Sequence, residues 1–288
     1  MNSFKIIALT GVILCALFVL LNISTYHTHK PDHSHRNINF KNQKTAYQAF
    51  QLPHSAGAFY WKADHENGSL EEYSWWKTET VPTGTLKVIT DPTGAGRGYV
   101  LSGEVTSGAI PANESHRLYP ALMLPDCYRG PYSSVFHVWS DLPLDKEHGW
   151  FSFATYTNRK EWQDLFGVNL GEENGESRLI LFHVPVVGKG DFTRISPIPF
   201  PMKQWVKIEV SVDSSGIMLL QDDRLVAEAK KTWGREGPGL CEAHWGMYAQ
   251  GKNSSGVILN DDVSITFEQP FDMPPRKIRE SGGKHGNK

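Results

Sequence analysis

Alternation of apolar and polar residues along short segments constrains this chain more than any other feature. In WVKIEVSV (205–212), the apolar residues at every second position fall on one side of an extended chain, and DVSITFE (262–268) repeats the pattern. Because successive side chains of a strand point to opposite faces, this period indicates antiparallel strands with one buried face and one wet face. Almost no helical period interrupts these segments.

Segments of this kind recur along the chain and are separated by Gly, Pro, Asn and Asp, the residues that favour turns. Their number predicts an all-β fold, a two-sheet antiparallel β-sandwich (jelly roll) over residues 51–270, preceded by an N-terminal transmembrane helix. The predicted strands are Thr85–Thr90, Tyr99–Val105, Ser133–Ser140, Trp150–Thr157, Asp164–Leu170, Arg178–Val184, Trp205–Val212, Gly216–Gln221, Arg224–Ala229, His244–Gln250 and Val257–Phe267.

The N-terminal segment reaches the length of a bilayer-spanning helix. Residues 6–23 (IIALTGVILCALFVLLNI) are apolar except for Thr10 and Asn22, and Lys5 precedes them. No small-residue cleavage site of the usual kind follows, which favours an uncleaved signal-anchor over residues 1–24 against a cleaved signal peptide. Both interpretations place the rest of the chain outside the cytoplasm, membrane-anchored by an N-terminal helix or secreted.

Polar segments flank the predicted sandwich on both sides. Residues 25–50 form a polar linker with four histidines between residues 27 and 35. Histidines at such spacing can bind transition metals, but Pro31 and the lack of a scaffold favour a flexible stalk. The tail at 271–288 is basic, and its composition predicts disorder.

The charge distribution argues against a nucleic-acid ligand. Residues 1–36 carry a net charge of +2 and residues 276–288 carry +4. Because the whole chain carries −2, residues 37–275 carry −8. A protein that binds phosphate backbones needs the opposite balance. We therefore expect no nucleic-acid partner, and contact with the membrane through the N-terminal segment only.

Two cysteines, Cys127 and Cys241, lie in the predicted extracytoplasmic part. In an oxidising compartment they can form one bridge across a long loop, which would stabilise the fold by roughly 4 kcal/mol on the entropic model. Two separate buried thiols are the alternative, and the sequence does not choose between them.

Three segments of the C-terminal half carry a family resemblance. QWVKIEVSVD, SSGIMLLQDDRLVAEAK and GVILNDDVSITF, in this order within residues 204–267, resemble the closing section of a concanavalin A-like (laminin-G-like) jelly roll. Upstream, HRLYPALMLPD (116–126), SSVFHVWS, WFSFATYTN and HWGMYAQG (244–251) are similar to polysaccharide lyases of the heparin- and glucuronan-lyase type. The resemblance implies a jelly roll whose concave sheet binds a polysaccharide.

Two acidic pairs lie in these segments. We interpret Asp222-Asp223 as the turn of a hairpin. Asn260 and Asp261 are interpreted as a turn or bulge that joins two strands, and Asp262 as the start of the outward-facing register. The resemblance also implies calcium as a possible ligand of either pair. Neither pair has the spaced carboxylates and carbonyls that calcium requires, so we expect no cofactor, with calcium as the alternative.

A uronate lyase has to neutralise the carboxylate of its substrate, remove the neighbouring C5 proton and protonate the leaving oxygen. Arg, His, Asn or Gln serve the first step, and Tyr or His usually serve the second. Alternate positions of neighbouring strands should point at a substrate that lies across the concave sheet. Such positions give the catalytic candidates His137, His183, His244, Tyr248 and Arg117.

Substrate-binding candidates come from the same segments, because aromatic rings stack on sugar faces and polar groups bond to sugar hydroxyls. They are Trp139, Tyr156, Asn158, Arg159 and Gln250. Each candidate also has a structural interpretation: a strand histidine is more often a hydrogen-bonded structural residue, and a sheet tyrosine usually packs in the core. No metal ligand is assigned.

Other catalytic signatures are missing from the sequence. It contains no Walker loop, no G-x-S-x-G elbow, no H-E-x-x-H pair and no paired-carboxylate strand of a jelly-roll glycoside hydrolase. The leading hypothesis is an extracytoplasmic polysaccharide lyase that cleaves a uronate-containing polysaccharide by β-elimination. The alternatives are a non-catalytic glycan-binding module on a membrane anchor and a structural surface protein. Whether His137, His183, His244 and Tyr248 converge in one groove separates the enzyme from the glycan-binding module, and their dispersal would count against the enzyme.

Overall fold

Fifteen strands form two antiparallel sheets in the part of the chain that the computed structural model describes. That part comprises residues 59–73, 75–79, 84–105, 115–144, 150–160, 163–185, 192–250 and 255–269. The strands are β1 (Phe59–Ala63), β2 (Trp75–Glu79), β3 (Gly84–Thr90), β4 (Tyr99–Val105), β5 (Ser115–Arg129), β6 (Tyr132–Asp141), β7 (Trp150–Arg159), β8 (Gln163–Glu173), β9 (Glu176–Val184), β10 (Phe192–Ile195), β11 (Val206–Asp213), β12 (Gly216–Gln221), β13 (Arg224–Lys230), β14 (Gly239–Gln250) and β15 (Gly256–Phe267).

The strands divide into an eight-stranded and a seven-stranded sheet. The eight-stranded sheet has the order β13–β12–β11–β6–β15–β4–β3, and β1 joins it by pairing with β15. The seven-stranded sheet has the order β10–β9–β8–β7–β14–β5–β2. Seven of the thirteen strand pairings among the described residues join strands that are not consecutive along the chain, so non-local pairing decides which side chains come together.

The predicted all-β, two-sheet antiparallel sandwich is confirmed. Four strands, β1, β2, β5 and β10, are additions to the predicted segments. Three of them have only four or five residues, and β5 contains Pro120 and Pro125, which are unusual inside a strand. The predicted transmembrane helix lies outside the described residues. Within those residues, no helix has the length and apolar character to cross a membrane.

Apolar residues at alternate positions of the two sheets face each other and form the core. Trp245 of β14 stacks on Trp61 of β1 with ring centroids 5.3 Å apart, and Tyr156 of β7 lies nearly perpendicular to Trp245 at 6.2 Å. Phe136 of β6 and Met247 of β14 are fully buried in the same cluster. The inner faces are therefore filled by side chains, and a polymer has access only to the outer faces.

A disulfide joins Cys127 of β5 to Cys241 of β14, so the structure contains the bridge and not two separate thiols. The bond lies where the pairing of β5 with β14 shifts register, between Leu240 and Glu242. It spans a sequence separation of 114 residues, and closing a loop of that length stabilises a fold by about 4 to 5 kcal/mol on the entropic model.

The pair Asp222-Asp223 is the predicted hairpin turn. It connects β12 and β13 as a two-residue loop, and both residues have positive φ angles, 48° and 62°. Two successive positive φ values give the turn whose twist matches antiparallel strands, and Asp tolerates them better than most residues. The Asp222 carboxylate accepts a hydrogen bond from the Lys207 amide at 2.9 Å.

The pair Asp261-Asp262 lies within one continuous strand, so the prediction that Asn260 and Asp261 join two strands is wrong. The segment 256–267 is β15 throughout, and its pairing with β6 shifts register between Asp261 and Ser264. This shift is the predicted bulge, and Asp262 has a φ of 50° there. A bulge interrupts the ladder without ending the strand, because the residues on both sides keep their partners.

Cations surround both carboxylates at this bulge. Arg97 Nη1 lies 2.8 Å from Asp261 Oδ2 and 3.4 Å from Asp262 Oδ2, and Lys62 Nζ lies 3.1 Å from Asp262 Oδ1. The Arg97 guanidinium also lies 4.5 Å from the ring centroid of Trp205. Burial by itself would raise the pKa of Asp261, but the His65 ring 3.9 Å away and the hydrogen bond from Arg97 outweigh it and lower that pKa.

We expect Arg97→Met to lower the free energy of unfolding by about 3 kcal/mol at neutral pH, because it leaves the buried Asp261 carboxylate without its cation. A lowered folded-state pKa adds stability above the unfolded pKa, and this stability is lost as the pH falls through the folded pKa. The difference between the wild type and the variant should therefore shrink in acid. Urea unfolding across a pH series measures it.

The matched control is Lys203→Met, which removes an exposed ion pair with Asp141 and should change stability by less than about 1 kcal/mol. Equal losses in the two variants, or a loss in Arg97→Met that does not change with pH, would contradict this role of Arg97.

Asn260 is a second polar residue of β15 that is buried. It is fully buried on β15 opposite the core residue Val138, and its Oδ1 and Nδ2 atoms have no hydrogen-bond partner among the described residues. An unsatisfied buried amide costs about 1 to 3 kcal/mol.

We therefore expect Asn260→Leu, whose side chain has the same branched shape, to raise the free energy of unfolding by about 1 kcal/mol or more. Asn260→Asp, which adds a charge at the same place, should lower it. A melting temperature that falls in Asn260→Leu as well would show that the amide has a stabilising partner.

Candidate functional site

A row of polar side chains crosses four adjacent strands on the outer face of the seven-stranded sheet. Arg117 of β5 is the Cα partner of Tyr248 of β14, and Tyr248 is in turn the partner of Ser152 of β7. Ser152 is the partner of Asn169 of β8. Directly paired residues share a face, with Cβ atoms about 4.5 to 5.5 Å apart. We call these four residues the polar row.

The alternation of β14 explains why the row faces outward. Ala243, Trp245, Met247 and Ala249 are completely buried against the core, so the residues between them point to the other face. Tyr248 is one of these, and it is only partly buried. The same argument applies to Asn169, whose neighbours Val168 and Leu170 are core residues.

Arg117 and Tyr248 form one end of the row. The Arg117 guanidinium carbon lies 5.9 Å from the centroid of the Tyr248 ring, and both side chains are partly buried. A guanidinium group binds a carboxylate with two parallel hydrogen bonds. A phenol beside it can exchange a proton with a bound molecule. This pair can therefore hold an acidic group and carry out proton transfer next to it.

His244 lies on the same face of β14, four residues before Tyr248, as predicted from the spacing. Its Nε2 contacts the Glu242 carboxylate, and its ring stacks on Tyr119 with centroids 4.4 Å apart. His244 is only 4% exposed and Tyr119 only 5%. His244 is therefore better placed to support its neighbours than to contact a ligand from solvent.

Ser152 and Asn169 are members of the row that the sequence analysis missed. Asn169 Oδ1 is buried and has no hydrogen-bond partner among the described residues. Ser152 Oγ lies 3.4 to 3.5 Å from its nearest oxygens, which is long for a hydroxyl hydrogen bond. The available signal was a polar residue between apolar neighbours in GVNLG and WFSFA, but it becomes informative only when the pairing to Tyr248 is known.

His183 does not belong to this face, which corrects the predicted convergence. It follows Leu179 and Leu181 on the inner face of β9 and is 2% exposed. Its Nε2 lies 2.7 Å from Asp164 Oδ1, and Lys231 Nζ lies 2.9 Å from the same oxygen. The histidine is thus part of a buried ionic cluster at the margin of the core.

This cluster keeps Asp164 ionised. Burial by itself would raise its pKa, but hydrogen bonds from His183, Lys231 and Asn158 outweigh burial and hold the pKa well below its ordinary range. The Asn158 amide donates to Asp164 Oδ2 at 2.8 Å. Because Asn158 is 3% exposed and occupied in this way, its predicted place on a substrate-binding face is wrong.

His137 and Trp139 lie in the other sheet, on the outer face of β6. His137 Nδ1 lies 3.8 Å from Asp262 Oδ2, and burial followed by the nearby charge of Arg97 lowers the pKa of the histidine. Buried and partly exposed residues alternate along β6 as predicted, but the core separates its outer face from the polar row. His137 and Trp139 therefore do not join Tyr248 in one groove.

The remaining candidates are also dispersed. Tyr156 is completely buried between the sheets, where its hydroxyl donates to Ser134 Oγ at 2.9 Å, so it cannot touch a polymer. Arg159 is exposed at the end of β7. Gln250 ends β14 opposite Trp150 and Ser115, and its side chain lies outside the described atoms. Of the ten candidate residues, three lie near one another on the outer face of the seven-stranded sheet and have described side chains: Arg117, His244 and Tyr248.

No protein-family model matches the chain, and no curated protein sequence matches it. Among solved structures, endo-β-1,4-glucuronan lyase from the fungus Trichoderma reesei is similar to it, with a TM-score of 0.52 and 13% identity over 73% of this chain and 94% of the lyase. Cellulose induced protein Cip1 has a TM-score of 0.49 and 14% identity over 71% and 95% of the two chains. Alginate lyase AlgAT5 of polysaccharide lyase family 7 has a TM-score of 0.43 and 11% identity over 62% and 81%.

At this level of identity, the similarity concerns the fold alone, and the glucuronan lyase carries it. The two β-sandwiches agree over almost the whole length of that enzyme. The chain has the jelly-roll fold found in polysaccharide lyases, which confirms the resemblance seen in its sequence.

Proposed function

We propose that this protein is an extracytoplasmic polysaccharide lyase that cleaves a uronate-containing polysaccharide by β-elimination at the polar row. The observation that carries the proposal is the direct pairing of Arg117 with Tyr248 on the open face of the sheet. The jelly-roll fold supports it. A protein with this arrangement needs no nucleic-acid partner, and its membrane contact is through residues 1–24 only.

The residues of the row have distinct tasks in this reaction. Arg117 binds the uronate carboxylate and stabilises the negative charge that develops when the C5 proton leaves. Tyr248 Oη, as the phenolate, takes that proton as the general base and becomes a phenol. The C4–O bond then breaks, the C4–C5 double bond forms, and the Tyr248 phenol gives its proton to the leaving oxygen, which restores the phenolate. The Asn169 amide, which is partly exposed, donates a hydrogen bond to the same sugar, and the buried Ser152 supports the row from beneath.

We expect Tyr248→Phe to lower kcat by at least about 100-fold, because the ring remains and only the proton acceptor is lost. Arg117→Met should raise KM and lower kcat together, because the carboxylate is bound in both the ground state and the transition state. The assay follows the ultraviolet absorbance of the unsaturated uronate product with the full-length protein on alginate, glucuronan, heparin and chondroitin.

Tyr60→Phe is the matched control. It removes the hydroxyl of a tyrosine that is 55% exposed in the other sheet, so its kinetics should equal those of the wild type. A wild-type protein that releases no unsaturated product from any of the four polymers would contradict the lyase function.

A non-catalytic glycan-binding module is the second candidate. It is favoured by the burial of His244 and by the positions of His137 and His183 away from the row. Among the described side chains of the row, Tyr248 alone is then left to act as a general base, without a histidine beside it that faces the ligand. Affinity electrophoresis together with the product assay separates the two functions. A glycan-binding module migrates more slowly in a gel that contains the polymer, but it releases no unsaturated product. A protein that neither binds nor cleaves the polymers contradicts both candidates.

A further inference from the structure

The outer face of the seven-stranded sheet changes character beyond the polar row. On β8, β9 and β10 it carries apolar side chains that are partly exposed, with Val184 at 37% and Ile195 at 36%. Exposed apolar residues that are contiguous often mark a binding surface. We call this surface the apolar shelf; its members are Leu165, Ile180, Phe182, Val184 and Ile195.

Two glycines of β8 make the shelf flat. A Cβ atom at Gly167 would lie 2.9 Å from Cε1 of Phe182, and one at Gly171 would lie 2.7 Å from Cδ1 of Ile180. The side chains of β9 therefore fold down onto β8 in the space that a larger residue would fill. A low apolar surface of this kind can pack against the C–H face of a sugar or against a small apolar substituent.

The shelf is continuous with the polar row. Asn169, the last member of the row, is the Cα partner of Ile180, and Gly167 is the partner of Phe182. Neighbouring strands lie about 4.8 Å apart, so the shelf begins within the width of one sugar ring from Asn169. A polymer that crosses the strands with one uronate at Arg117 has another sugar over the shelf.

The charges near the shelf do not suit a second free uronate. On β9, the cation beside Ile180 is Arg178, the Cα partner of Gly171. Its Nη2 is paired with Glu176, and its Nη1 donates to the Ser196 carbonyl oxygen at 2.9 Å. Because a carboxylate placed over Ile180 and Phe182 would lose water and would meet an arginine already engaged with these partners, this part of the shelf favours an uncharged group.

We propose that the apolar shelf is a subsite for a sugar that carries an uncharged apolar substituent, such as an O-acyl group, and that the natural polymer is a partly acylated uronan. This inference rests on the proposed function, because it takes the polar row as the site of a neighbouring uronate. The shelf then contributes specificity: it distinguishes the acylated polymer from the bare one.

The test compares each of the four polymers after O-acetylation with the same polymer after mock treatment. The full-length Tyr248→Phe protein is used so that the polymer stays intact, and affinity electrophoresis gives the two Kd values. Burying one methyl group should tighten binding of the acetylated form of the bound polymer by about fourfold. Phe182→Ser and Val184→Ser, each added to Tyr248→Phe, should bring the ratio of the two Kd values close to one.

Tyr60→Ser is the matched control, since it removes an exposed aromatic ring from the other sheet and should leave the ratio as it is. Val184 is more exposed than Phe182, so its variant decides the question if Phe182→Ser fails to fold. A ratio at or below one in the parent protein, or one that both shelf variants leave unchanged, overturns the shelf proposal alone. Binding to neither form of any polymer contradicts the proposed function, and the shelf proposal falls with it.

Discussion

The position of β14 between β5 and β7 is the constraint on which the candidate site depends. β14 buries Trp245 and Met247 in the centre of the core, and a shift of register by one residue would turn them to solvent. The same register turns Tyr248 outward beside Arg117. The disulfide from Cys241 to Cys127 joins the same two strands. Packing in the core thus fixes the geometry of the outer face.

Buried carboxylates are held by cations at two other places in the sandwich. Arg97 binds Asp261 at the bulge of β15, and Lys231 binds Asp164 beside His183. Both carboxylates have lowered pKa values because hydrogen bonds outweigh burial. These clusters account for residues whose chemistry suggests catalysis. Aspartates and a histidine that sequence alone cannot separate from catalytic groups are here occupied with each other.

The outer face of the seven-stranded sheet combines two kinds of surface. Arg117 and Tyr248 offer a charge and a proton acceptor, whereas Ile180 and Phe182 offer apolar contact. A ligand that satisfies both halves has an acidic group and an uncharged group at a fixed spacing. This requirement is more restrictive than a basic groove, which would bind many acidic polymers alike. It is consistent with the acidic charge of the central part of the chain.

The sequence alone determined the fold class and the faces that residues share. The alternation of β11 and β15, the turn at Asp222-Asp223 and the common face of His244 and Tyr248 depend on local geometry, so they were predictable from neighbouring residues. The alternation of side chains along a strand predicts which residues share a face. It does not predict which sheet the strand joins or what its outer face lies beside.

Only the tertiary structure decided which sheet each strand joins and which face is open. His137 and Trp139 alternate as predicted but lie in the other sheet, and Tyr156 points into the core. Ser152 and Asn169 became part of the site through pairing across β7 and β8. These choices depend on contacts between strands far apart in sequence, and the burial of the whole core selects them because no single strand carries that information.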